Sequence, residues 1–124
     1  MTDESLRVPL SRWVLVVAAV QLAALIATSS GYGYHRDEMY FIASGRHPSF
    51  GYPDQPPLVP LICAAMNAIA PQSLLLLRLP SALVAAATTV VSAAIARRIG
   101  GSGRAQVIAA ATTACSGFAL AVGH

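Results

Sequence analysis

Charge is what this chain has least of: 10% of its 124 residues are charged while 56% are hydrophobic, and the mean hydropathy is +0.62. A soluble domain carries about a quarter charged residues, so the composition excludes an ordinary soluble protein and points to the membrane class. Cysteine is scarce as well. Cys63 and Cys115 are the only two; they lack metal-ligand spacing such as C-x-x-C and read as small apolar fillers. Repeats, low-complexity linkers, phosphate-cradling glycine loops and strand signals are absent. The net charge of +3 and the pI near 9.3 come from arginines on turns, without a basic-aromatic pattern, and nucleic acid is excluded as a partner.

What remains is apolar and helical. A bilayer span needs about 20 mostly apolar residues, and three uncharged runs come close: Trp13 to Ser30, Leu79 to Ala96 and Ala105 to Val122. All three are rich in Ala, Ser, Thr and Val, which lets helices pack closely in lipid. A fourth run, Pro57 to Ala70, holds Pro60 and Asn67; it is too short to cross and suits a helix lying along the interface.

The arginines set the topology. If the fourth run does not cross, Arg7 and Arg12 share a side with Arg97, Arg98 and Arg104, which satisfies the cytoplasmic preference of basic residues. The expected architecture is therefore all-α, a polytopic membrane helical bundle. Residues 1–12 form a cytoplasmic tail, 13–30 the first span, 31–78 an extracytoplasmic loop with short interfacial helices, 79–96 the second span, 97–104 a cytoplasmic turn and 105–124 the third span. The first span has too long an apolar core for a cleaved signal and is read as retained. The plasma membrane is the expected location.

One loop concentrates the remaining chemistry. "GYGYHRDEMYFIASGRHPSFGYPDQPP" carries Asp37, Glu38, Asp54, His35, His47, Arg36 and Arg46 among six aromatic residues, which favour the headgroup level. Simple structural roles exist for each group. Asp37 can cap a short helix over "EMYFIAS" that exits at Ser44 and Gly45. Asp54 can be a turn aspartate, the histidines can be hydrogen-bonding surface residues, and Arg78 can snorkel to headgroups. The coincidence of acids and bases in one loop favours a site.

"HRDEMYFIASGRH", "GYPDQPPLVPLI" and "LLRLPSAL" together resemble the N-terminal part of glycosyltransferase family 39, the polyprenyl-phosphate-sugar-dependent enzymes with a multi-span GT-C fold that include protein O-mannosyltransferases and aminoarabinose transferases. The resemblance covers nearly all the chain after about residue 10, and its most specific part is an Asp-Glu motif followed by an acid-x-Pro-Pro motif. It implies that Asp37 is the general base for the acceptor hydroxyl and that Asp54 lies beside the donor phosphate or its metal. It implies further that Glu38 supports the loop or metal, with Arg46 and Arg78 as candidate donor-phosphate contacts. Gln55 stands where some branches have lysine, so a cationic phosphate contact there is not carried over.

The implied partners are a polyprenyl-phosphate sugar donor, a protein or lipid-linked acceptor and membrane lipids. The implied cofactor is a divalent ion, Mg²⁺ or Mn²⁺ by the carboxylate chemistry, with zinc open if histidine joins the shell. Such enzymes have more than three spans, so the chain is expected to be an N-terminal fragment and inactive alone. The competing reading is a small non-catalytic membrane subunit whose external loop docks a partner. A transporter piece fits less well, because no charge lies inside the three expected spans.

Overall fold

The computed structural model describes residues 8–31 and 33–116. The start of the expected tail, with Arg7, the aromatic Tyr32 and the end of the expected third span, with His124, lie outside the described residues. Every regular element among the described residues is a helix: α1 Arg12–Thr28, α2 Arg36–Gly45, α3 Leu58–Ile69, α4 Leu74–Arg98 and α5 Gly103–Ala114. The chain divides into two compact units, one of Ser29–Pro80 and one of Met1–Thr28 with Ser81–His124.

The larger unit is built on α1, α5 and most of α4. Val14, Ala18, Gln21 and Leu25 of α1 are buried at steps of three or four residues, one face of a helix. Val14 packs with Ala93 and Ala110, and Leu10, Val17, Val90 and Val107 surround them. Alanines at these contacts let the backbones come close. Two hydrogen bonds join buried polar side chains here to other segments: Thr89 Oγ1 donates to Gln21 Oε1 at 2.7 Å, and Gln106 Oε1 accepts from the Ser11 amide, just before α1, at 3.0 Å. Trp13, Leu15, Val16 and Val20 remain exposed on α1, as do Leu83, Val84, Val91 and Ile95 on α4.

The helix limits differ from those expected. Helix α4 begins at Leu74, five residues before the expected Leu79, and therefore contains Arg78 and Pro80. Ser73 Oγ accepts from the Leu76 amide, an N-cap that starts the helix in the leucine run. Pro80 removes one backbone donor without ending it. The helix closes in a Schellman arrangement, with Gly101 N donating to Ala96 O at 2.8 Å and Gly100 N to Arg97 O at 3.0 Å. Gly100 has φ +89, a conformation costly for any residue with a Cβ. Arg97 and Arg98 occupy the last turn of α4, where cations favour the carbonyl end of the helix dipole.

Among the described residues, Leu74–Arg98 is the one helix long and apolar enough to cross a membrane, while Arg12–Thr28 and Leu58–Ile69 are shorter apolar helices. Helix α1 ends at Thr28, two residues before the expected end, and the Thr28 hydroxyl donates to the Ala24 carbonyl at 2.8 Å.

The smaller unit contains α2, α3 and the first turns of α4. Gly45 is the contact point of α2 and α3: a Cβ there would lie 2.8 Å from the Pro60 carbonyl oxygen and 3.1 Å from Ala64 Cβ. Its value is therefore lack of bulk, and the expected Ser-Gly exit is corrected to a glycine that is still helical, with Arg46 as C-cap.

Candidate functional site

The site elements lie within the Ser29–Pro80 unit and are organised by a helix terminus. His35 is the N-cap of α2, which corrects the assignment of the cap to Asp37. The His35 amide donates to Glu38 Oε2 at 2.7 Å, and the Asp37 amide reaches His35 Nδ1 at 3.4 Å. This is the reciprocal capping box, with histidine in the place usually held by serine or threonine. Because His35 does the capping, the Asp37 side chain is not used as the cap. It is 63% exposed, with His35 Nδ1 at 3.8 Å and Arg36 Nε at 3.9 Å.

Glu38 faces inward and meets Arg78. Arg78 Nε donates to Glu38 Oε1 at 2.6 Å and Nη2 donates to Oε2 at 2.9 Å, a two-point pairing that fixes orientation as well as charge. Arg78 also donates to the carbonyls of Ser29 and Gly33. One buried guanidinium thus ties the Ser29 and Gly33 carbonyls to the first turn of α2. Burial pushes the Glu38 carboxyl pKa up, but the Arg78 hydrogen bond, the His35 amide and the positive charge of Arg78 outweigh it and hold the group below its ordinary value. The snorkelling reading of Arg78 is corrected: its side chain is 7% exposed and its donors are turned into the protein.

Asp54 sits at the tip of a tight turn closed by paired backbone hydrogen bonds between Tyr52 and Gln55. Its Oδ1 accepts from the Tyr40 hydroxyl at 2.7 Å. The same hydrogen bond raises the Tyr40 phenol pKa, since the ionised phenolate would lose it and face a carboxylate. Tyr52 fastens the turn to the end of α2, its hydroxyl 2.8 Å from the Ser44 carbonyl and 2.9 Å from that of His47. Tyr40 lies one turn after Asp37 on α2, so the two aspartates border the same side of that helix.

Arg46 does not join them. Nine positions along α2 amount to about two and a half turns and roughly 13 Å of rise, which puts Arg46 at the far end of the helix and on the opposite face from Asp37. It lines an open groove of about 600 Å³ with Tyr34, Met39, Ile42, Asn67 and Gln72. The five residues expected in the site therefore separate into three places: Asp37 and Asp54 beside Tyr40, Glu38 with Arg78 inside, and Arg46 in the groove.

Among the described residues no three His, Cys, Asp or Glu side chains converge into a metal-binding group, and one oxygen of Asp54 already accepts from Tyr40. Mg²⁺ and Mn²⁺ demand about six oxygen ligands. These residues do not make up that set, and a divalent ion held at Asp54 requires ligands from outside them.

Reading the sequence missed His35 as a cap and the pairing of Glu38 with Arg78. The x-x-Glu spacing after His35 is the signal for the first; an arginine inside an apolar run, which demands a partner, is the signal for the second. No family model, curated protein or solved structure matches the chain.

Proposed function

We propose that the chain is the N-terminal part of an integral membrane glycosyltransferase that moves a sugar from a polyprenyl-phosphate donor to a protein or lipid-linked acceptor on the extracytoplasmic face. The observation that carries the reading is Asp37: an exposed carboxylate in the first turn of a helix whose cap is made by other residues. A general base must be open to its substrate yet fixed in direction, and the Glu38 to Arg78 pairing supplies the second property.

In this reading α1, α4 and α5 are the three spans. Helix α4 has the length for it; the 17 residues of α1 reach the lower end of the range that crosses. Helix α3 lies along the boundary, with Leu58, Val59, Leu61 and Ile69 exposed to lipid.

The chemistry follows from this placement. The acceptor hydroxyl gives its proton to an Asp37 carboxylate oxygen as its own oxygen attacks the anomeric carbon, and the bond from that carbon to the lipid phosphate breaks. Direct displacement inverts the anomeric configuration. Asp54, held by Tyr40, borders the approach from the donor side. Arg78 acts as a positioning residue through Glu38, a role that replaces the expected phosphate contact in this proposal.

The test is transfer of labelled sugar from a polyprenyl phosphate by the native polypeptide that contains this sequence, reconstituted in vesicles. A product of inverted configuration supports the reading. Absence of transfer to any peptide or lipid acceptor, in protein that still inserts, favours the docking subunit.

A further inference from the structure

We propose that the groove beside Arg46 is a binding site for the headgroup of an anionic bilayer phospholipid, separate from the face that carries Asp37. The inference rests on the reading of α4 as a membrane span and goes beyond the proposed transfer reaction.

The groove is amphipathic in the way a lipid is. Met39 and Ile42 form an apolar wall, while Tyr34, Arg46, His47, Asn67 and Gln72 supply polar groups. Two of the polar residues are already fixed: the Tyr34 hydroxyl donates to the Gln72 carbonyl at 2.8 Å, and Asn67 Oδ1 accepts from the Gln72 amide at 3.2 Å. Gln72 is held at φ +64, a left-handed conformation that is unfavourable for a residue with a Cβ. A rigid polar rim is the result.

Arg46 differs. Its guanidinium makes no hydrogen bond or ion pair with the described residues, whereas Arg78 uses its donors inside the protein. The nearest acids in sequence are turned elsewhere, Glu38 to Arg78 and Asp54 to Tyr40. The groove therefore presents an uncompensated positive charge above an apolar wall, which is complementary to a phosphate headgroup followed by acyl chains.

Position favours a bilayer lipid over a soluble phosphate. Gln72 lies two residues before the start of α4, so a spanning α4 puts this rim at the headgroup level. The sugar donor is not the occupant. Its phosphate must lie within a few ångströms of the anomeric carbon that the acceptor attacks, and Arg46 is on the far end and opposite face of α2 from Asp37.

The experiment uses the full chain in vesicles of phosphatidylcholine with increasing phosphatidylglycerol. Flotation with pure phosphatidylcholine vesicles first checks the span; a chain that does not float overturns both the span and this proposal. In chains that float, the count and affinity of retained phosphatidylglycerol are read by native mass spectrometry for wild type, Arg46→Gln and Met39→Asp, with Arg98→Gln as the comparison cation. The expected result is one phosphatidylglycerol lost from both groove variants, with about fivefold weaker affinity in Arg46→Gln and no such site-specific loss in Arg98→Gln. Equal retention in wild type and Arg46→Gln overturns the proposal, as does displacement of the lipid by inorganic phosphate or by stoichiometric polyprenyl phosphate.

Discussion

The pairing of Arg78 with Glu38 makes a quantitative prediction through a double-mutant cycle. Arg78→Met removes a guanidinium that serves both Glu38 oxygens and two main-chain carbonyls, leaving a largely buried carboxylate without its cation. Such breakage costs about 3–5 kcal/mol. Glu38→Gln keeps the shape and one acceptor while removing the charge, and costs about 2 kcal/mol. The double variant pays for neither stranded charge, so its loss should fall short of the sum by about 2 kcal/mol. The assay is reversible unfolding in detergent micelles, with hydrogen exchange at the α2 amides as a local readout. Additivity within about 0.5 kcal/mol would refute the coupling. The pH dependence has a fixed sign: because the folded Glu38 pKa lies below its ordinary value, this stabilisation is present at neutral pH and is lost as pH falls through the folded value. Glu38→Gln should abolish that acid limb.

Other predictions concern the α2 surroundings. Gly45→Ala should destabilise by about 1–3 kcal/mol through overpacking, because its Cβ meets the Pro60 carbonyl oxygen at 2.8 Å; thermal unfolding at unchanged stability would contradict the close approach of α2 and α3. Asp54→Asn should lower the ionisation point of one tyrosine, seen in the ultraviolet titration, since Asp54 is the main cause of the raised Tyr40 value; an unchanged curve would break the Tyr40 to Asp54 assignment. Gly100→Ala should cost about 1 kcal/mol through its positive φ of +89, with no change expected at α2 by hydrogen exchange.

Helices were legible in the sequence wherever local composition decides them. The apolar runs gave α1, α3 and the body of α4, and proline and glycine marked the turns. The start of α4 was not legible, because a charge and a proline at Arg78 and Pro80 argue locally against a helix. Only the partner forty residues away makes that arginine acceptable inside one. The candidate site was legible as a cluster but not as an arrangement. Composition brought Asp37, Glu38 and Arg46 together in one short stretch; helix geometry then turned them in three directions. Histidine at the N-cap hid a capping box that its spacing to Glu38 would have revealed.

The most direct test of the account is the Asp37→Asn substitution in the native polypeptide, assayed for transfer from a labelled polyprenyl-phosphate sugar at matched insertion and donor binding. If Asp37 is the base, transfer falls by about 10²-fold or more while donor binding and α2 hydrogen exchange stay as in wild type, since His35 still caps the helix. Transfer at the wild-type rate would contradict the central claim and leave Asp37 as a solvated residue of the first helical turn.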